Sequence, residues 1–135
     1  MTQEEKDLLL QDICSRLPYG VKVEYENEIF DVEYVSPMYE EVKLDIPETW
    51  TISVSEVKPY LFPLSSITKE QWKEISDIQI KESLKSIDSN NDYMSNPLFS
   101  IGDLKVLDWC YANHIDYRGL IPMGLAIDAT GLNIY

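Results

Sequence analysis

The sequence predicts an α+β domain: an N-terminal helix, a small antiparallel meander of four to five strands able to curl like a small barrel, and C-terminal helices packing on one side. Three observations predict it. A capping signal opens a stretch of apolar residues at helical spacing, period-two segments separated by turn residues follow over about residues 21–54, and helical spacing returns beyond residue 68. At 135 residues, 44% apolar, the chain suits a single globular domain over 1–135 whose core needs neither metal nor disulfide.

Thr2 with Glu5 three residues later is a capping-box pattern, and Leu9, Leu10, Ile13 and Leu17 recur on one face until Pro18 and Gly20, which predicts a helix over about 3–16. In VKVEYE (21–26) and IFDVEYV (29–35) apolar residues alternate with charged ones. A turn at Asn27-Glu28 would set Tyr25 opposite Phe30, Val23 opposite Val32 and Val21 opposite Tyr34 on the inner side. On the outer side, Lys22 would then meet Glu33 and Glu24 would meet Asp31, a like-charge pair that weakens the hairpin. After Ser36-Pro37, EVKLDI (41–46) places Val42, Leu44 and Ile46 inward; Pro47-Glu48 turns the chain, and WTISV (50–54) shows Trp50, Ile52 and Val54 on one face. Such a meander cannot bury its apolar face alone, so the helices must cover it.

The two prolines of SEVKPYLFPLSSIT (55–68) indicate an extended connection with a short edge strand at Tyr60–Phe62. Thr68 and Gln71 repeat the capping box, and Trp72, Ile75, Leu84 and Ile87 predict a helix over about 69–87. Residues 88–100, DSNNDYMSNPLFS, form an irregular loop. There Asp88, Asn90 and Asp92 imitate half of a calcium loop, but Tyr93 stands where glycine is required and Phe99 where the bidentate glutamate is required, so no metal site is expected. Ser100 with Asp103 opens a third helix, with Leu104, Leu107 and Tyr111 on one face, that ends near Asn113; the apolar, glycine-turned tail to Tyr135 is expected to pack. Trp50, Trp72 and Trp109 each fall on an apolar face and are expected in the core.

Eleven basic against 24 acidic residues give a net charge of −13, split −9 over residues 1–60 and −4 over 61–135. That charge disfavours direct contact with nucleic acid or anionic membrane. The N-terminus MTQEEKDLLLQD has neither the basic start nor the apolar run of a secretory signal, and no segment is apolar enough to span a bilayer, so a cytoplasmic location is expected. Cys14 and Cys110 lie far apart and are expected as free thiols, with no cofactor or metal.

The stretch DWCYANHIDYRGL (108–120) concentrates the reactive residue types, including the chain's single histidine. Cys110 and His114 could share a helix face as thiol and base, but no oxyanion donors accompany them, so His114 is expected in a capping or packing role at the helix end. Asp116 and Arg118 are a candidate ligand or turn site, most simply a local ion pair shaping the turn at Gly119. The candidate interaction surface is acidic: Glu24, Glu26, Asp31 and Glu33 on the hairpin, with Glu40 and Glu41 next along the chain.

KPYLFPLSSITKEQ (58–71) and HIDYRGLIPMGLAIDATGLNIY (114–135) resemble an uncharacterised family of short acidic proteins carried by phages, prophages and other mobile elements of anaerobic gut bacteria. The resemblance implies an intracellular bacterial context and carries no catalytic residues over. The expected function is therefore a non-enzymatic protein-interaction module of a mobile element, with another protein as partner. The rivals are an acidic nucleic-acid mimic that inhibits a host DNA-binding protein and a small enzyme using Cys110 and His114.

Overall fold

The computed structural model describes residues 1–46, 51–89 and 101–135, with backbone alone over 80–89 and 101–103. Helix α1 (Gln3–Arg16) begins as the sequence predicts, with Thr2 Oγ1 accepting from Glu5 N at 3.1 Å and Glu5 Oε1 accepting from Thr2 N at 3.0 Å. Leu9 and Ile13 are fully buried.

Strands β1 (Lys22–Tyr25) and β2 (Glu28–Ser36) form the hairpin with a different turn. Glu26 and Asn27 occupy it, at φ 49° and 65°, the left-handed pair that a two-residue turn requires between right-twisted strands. Val23 therefore pairs with Phe30 and Lys22 with Asp31, two residues away from the expected register. An even slip keeps the same side chains facing inward. It also removes the like-charge clash, because Asp31 meets Lys22 at 2.8 Å while Glu24 sits opposite Ile29 and, across the other edge, Lys58. Replacing the turn by Asn-Gly (Glu26→Asn with Asn27→Gly) relieves left-handed strain and is expected to raise stability by about 1 kcal/mol in denaturant titration.

Strand β3 (Glu41–Leu44) pairs with β2 through a bulge between Val32 and Tyr34. The extra residue, Glu33, reverses the facing of the residues beyond it. Val35 turns toward Val42 and the core, while Tyr34, expected inward, is 49% exposed. Val42 and Leu44 are fully buried, and Ile46 packs beside them, as expected. Lys43 is buried too, its Nζ donating to the carbonyls of Leu44 and Ile46 and lying 3.7 Å from Glu33.

Strand β4 (Ile52–Ser53) closes the meander, and a 3-10 turn at Val54–Glu56 leads to β5 (Lys58–Pro63). Strand β5 is an interior strand, not an edge. Its prolines lie near its ends, leaving the buried Tyr60-Leu61 pair and Phe62 free to bond on both sides. It receives β1 antiparallel, then β6 (Ile115–Asp116) and β7 (Ile127–Asp128) in parallel. The sheet is thus mixed and seven-stranded, in the order β4-β3-β2-β1-β5-β6 with β7 also on β5, and it does not close into a barrel.

Helix α2 (Lys69–Ser89) carries the Thr68–Gln71 capping box, and α3 (Ile101–Ala112) packs against it. Asp88 continues α2 rather than starting a loop; Trp50, the Pro47-Glu48 turn and positions 90–100 fall outside the described residues, as do the side chains of Leu84 and Ile87. Ile75 is buried, but Trp72 is 51% exposed and Leu104 48% exposed, and Trp109 is half-buried with Nε1 donating to Glu74 at 2.9 Å. The main apolar cluster draws on α1, the strands and the tail residues Leu120, Leu125 and Ala126. No helix among the described residues is long and apolar enough to cross a membrane.

Candidate functional site

His114 ends α3 with its backbone, not its ring. Its N–H donates to Tyr111 O at 3.2 Å and its φ is 59°, the left-handed closure usual at a helix C-terminus. Of the two expected roles, capping and packing, the side chain takes the second. The ring stacks on Tyr135, centroids 3.5 Å apart and planes 14° from parallel, and Nδ1 is buried without a hydrogen-bond partner. Burial, then the charges of Arg16 and Lys22, pull the imidazole pKa down to about 4, so the ring is neutral at pH 7.

That depression has a consequence for stability. Between pH 6.5 and 4 the unfolded chain binds more protons at this residue than the folded one does. The contribution is full above pH 6.5 and lost as pH falls through about 4. His114→Asn, which tolerates left-handed φ, is expected to flatten that part of the wild-type pH profile in denaturant titrations. Identical slopes in the two proteins would contradict the assignment.

Both arginines of the chain converge on one carboxylate that motif spacing does not single out. Asp12, fully buried, accepts from Arg16 Nε at 2.8 Å and Nη2 at 3.0 Å, and from Arg118 Nε at 3.1 Å. Arg16, itself 1% exposed, also donates to Ile115 O at 2.6 Å and Cys110 O at 3.5 Å. Arg118 donates to Tyr111 Oη at 3.3 Å and lies over the Tyr117 ring, and the two tyrosine hydroxyls meet at 2.8 Å. Burial and that hydroxyl contact push the Tyr117 phenol well above its ordinary range. These bonds tie helix α1 to the segment joining α3 and the tail, and they satisfy the charges that burial would otherwise penalise.

The expected Asp116–Arg118 pair does not form. Asp116, 3% exposed, accepts instead from Leu120 N at 2.8 Å and Ile121 N at 2.9 Å, fixing the turn through Gly119 at φ 77°. Cys110 is 5% exposed, and burial raises its thiol pKa despite the opposing Arg16 charge. Cys14 is exposed, and both thiols are free.

His114 lines a cavity of about 550 Å3 to which Cys110 does not contribute. The two residues are thus not brought together at one accessible opening. Phe62, Ile115 and Tyr135 form its apolar part, while Ser66, Thr68, Gln71, Asn113 and Thr130 supply polar groups.

The six acidic candidates are spread along the β1–β2 hairpin and the start of β3. Glu26 lies at the β1–β2 turn and Glu40 at the opposite end of β2, roughly 30 Å away by strand rise. Four have partners: Asp31 with Lys22, Glu33 with Lys43, Glu40 with Lys6 at 3.7 Å and Gln3 at 2.7 Å, and Glu41 with the Thr51 hydroxyl at 2.6 Å. Beside Glu40 a 3-10 turn, Pro37–Tyr39, projects Met38 and Tyr39 into solvent at 84% and 70% exposure.

Among the described residues no group of three or more His, Cys, Asp or Glu side chains could hold a metal ion. No protein-family model, curated protein or solved structure matches the chain.

Proposed function

We propose that the chain is a non-enzymatic, cytoplasmic protein-interaction module whose docking surface is the corner formed by Tyr34, Met38 and Tyr39. The observation that carries it is the exposure of Met38 and Tyr39 on a firmly held backbone. Glu40 N donates to Pro37 O at 3.2 Å, Glu40 O accepts from Val54 N at 2.8 Å, and the Glu40 side chain is bound by Gln3 and Lys6 of α1. Large apolar side chains on a fixed, solvent-facing corner mark a surface that a partner covers, and tyrosine and methionine are enriched in interface cores.

With a net charge of −13 the chain favours a basic partner, which would offer an apolar socket for Met38 and Tyr39. The pairing of four of the six acidic residues weighs against a phosphate-like row. Support for a phage or mobile-element setting is the resemblance of residues 58–71 and 114–135.

The test compares immobilised wild type with Met38→Asp/Tyr39→Asp in bacterial lysate at low and high salt. A protein captured by wild type, lost by the variant and partly retained at high salt is the expected result. The same captured proteins with both baits, or capture that vanishes entirely in salt, would overturn the assignment.

A further inference from the structure

Beyond Ala129 the chain is hydrogen-bonded to other elements through one side chain. Ala129 itself is 1% exposed and donates its N–H to Leu61 O at 2.8 Å, which seats it on β5. Thr130, Gly131, Leu132 and Asn133 are all exposed, and their hydrogen bonds stay local. Thr130 N donates to Asp128 Oδ1 at 2.9 Å and Leu132 N to Ala129 O at 3.1 Å. Gly131 and Asn133 turn the backbone through φ of 81° and 53°, the second in a left-handed conformation that costs energy for a residue with a side chain. Among the described residues, the hydrogen bonds that carry this segment to another element are the two made by the Tyr135 hydroxyl.

Those two bonds lie at a gap in the sheet. Strand β1 pairs with β5 at Val23–Pro59 and Glu24–Lys58, a register that sets Lys22 opposite Tyr60, but the ladder stops at Val23. Val32 N donates to Val21 O at 3.0 Å, so alternation along an antiparallel ladder turns the Lys22 N–H away from β2 and toward β5. The Tyr135 hydroxyl sits between the two strands there, accepting from Lys22 N at 3.2 Å and donating to Tyr60 O at 2.9 Å. The ring of the same residue lies on His114 and meets Phe62 at 6.0 Å. Thr130, Gly131 and Tyr135 also supply the tail's share of the lining of the cavity of about 550 Å3.

We propose that residues 130–135 are a strap over this cavity, hinged next to Ala129 and latched by Tyr135, that opens while the sheet stays folded. Segments with few bonds to their surroundings open at free energies well below that of global unfolding. Unlatching exchanges two hydrogen bonds and one ring stack for water, whereas the hinge is held by a buried alanine and its bond to Leu61. Opening uncovers the imidazole face, the Lys22 N–H and the Tyr60 carbonyl together, and it withdraws three of the residues that line the cavity.

Native-state hydrogen exchange of the full chain, followed by NMR at denaturant concentrations below the unfolding transition, tests the strap. The Lys22 amide reports the latch, the Ala129 amide the hinge, and the amide of the fully buried Val23 the sheet. Lys22 is expected to be protected, yet to exchange about a hundredfold faster than Val23 and at a rate nearly independent of denaturant, while Ala129 follows Val23. Tyr135→Phe keeps the ring and removes both hydrogen bonds, and is expected to speed Lys22 exchange about tenfold. Loss of one amide partner would do that alone, so the imidazole supplies a second reading. The His114 ring signals of Tyr135→Phe are expected to fall between those of wild type and those of Tyr135→Ala, which has no latch. Should Tyr135→Ala not fold, the denaturant dependence of Lys22 in the wild type decides. A Lys22 amide with the denaturant dependence of Val23, one exchanging at the rate of an unprotected amide, or Ala129 opening together with Lys22 would each overturn the proposal.

Discussion

Asp12→Ala is expected to leave the chain largely unfolded, or to lower its unfolding transition by about 3–5 kcal/mol, because it strips the partner from a guanidinium that is 1% exposed. Domains of this kind retain only about 5–15 kcal/mol in total, so the loss is a large share of the whole. Arg118→Ala removes a side chain 18% exposed and leaves Asp12 paired with Arg16, so the expected cost is about 1–2 kcal/mol. The apolar replacement Asp12→Leu/Arg16→Met separates charge from shape. It removes both buried ions together and is expected to be more stable than Asp12→Ala alone. Guanidinium titrations followed by circular dichroism measure all three, and an Asp12→Ala protein as stable as wild type would show that the cluster does not hold α1 to the tail.

Val23→Asp is expected to abolish cooperative folding. Val23 is fully buried, at the middle of β1 between Phe30 and Pro59, and a carboxylate there finds no partner. Ile29→Thr, on the opposite face of the same hairpin at 46% exposure, is expected to stay within about 0.5 kcal/mol of wild type. A soluble, cooperatively unfolding Val23→Asp protein would contradict the assignment of the sheet's inner face.

Local signals in the sequence carry furthest where the stabilising contacts are themselves local. The Thr2–Glu5 and Thr68–Gln71 boxes both form, since each is closed within three residues. The hairpin is legible in its facing but not its register, because two adjacent dipeptides compete for the turn and only one accepts the left-handed pair. The bulge at Glu33 depends on pairing with β3, and β6 and β7 are two residues each, too short for any period. Trp72 and Leu104 follow helical spacing, yet spacing alone does not state which face a neighbour covers.

The Asp12 cluster does leave a signal in the sequence. Leu9, Asp12, Ile13 and Arg16 share one helical stripe, so two charges stand at core positions four residues apart. Such a pair at core positions announces a buried ion pair. Its third member, Arg118, comes from the far end of the chain and can be found only in three dimensions. The same holds for His114, whose helix-ending position is legible but whose Tyr135 stack is not.

Those contacts turn much of the most reactive-looking stretch of the chain inward: Arg118 and Asp116 serve the packing of α1 and the tail, and its histidine stays neutral on a cavity wall. Following the ring signals of the single histidine by NMR as a function of pH tests this most directly. The expected midpoint is about 4, set by burial and the Arg16 and Lys22 charges. A midpoint at or above the ordinary 6.5 would mean a solvated or carboxylate-paired imidazole, and would contradict the stacked, buried placement.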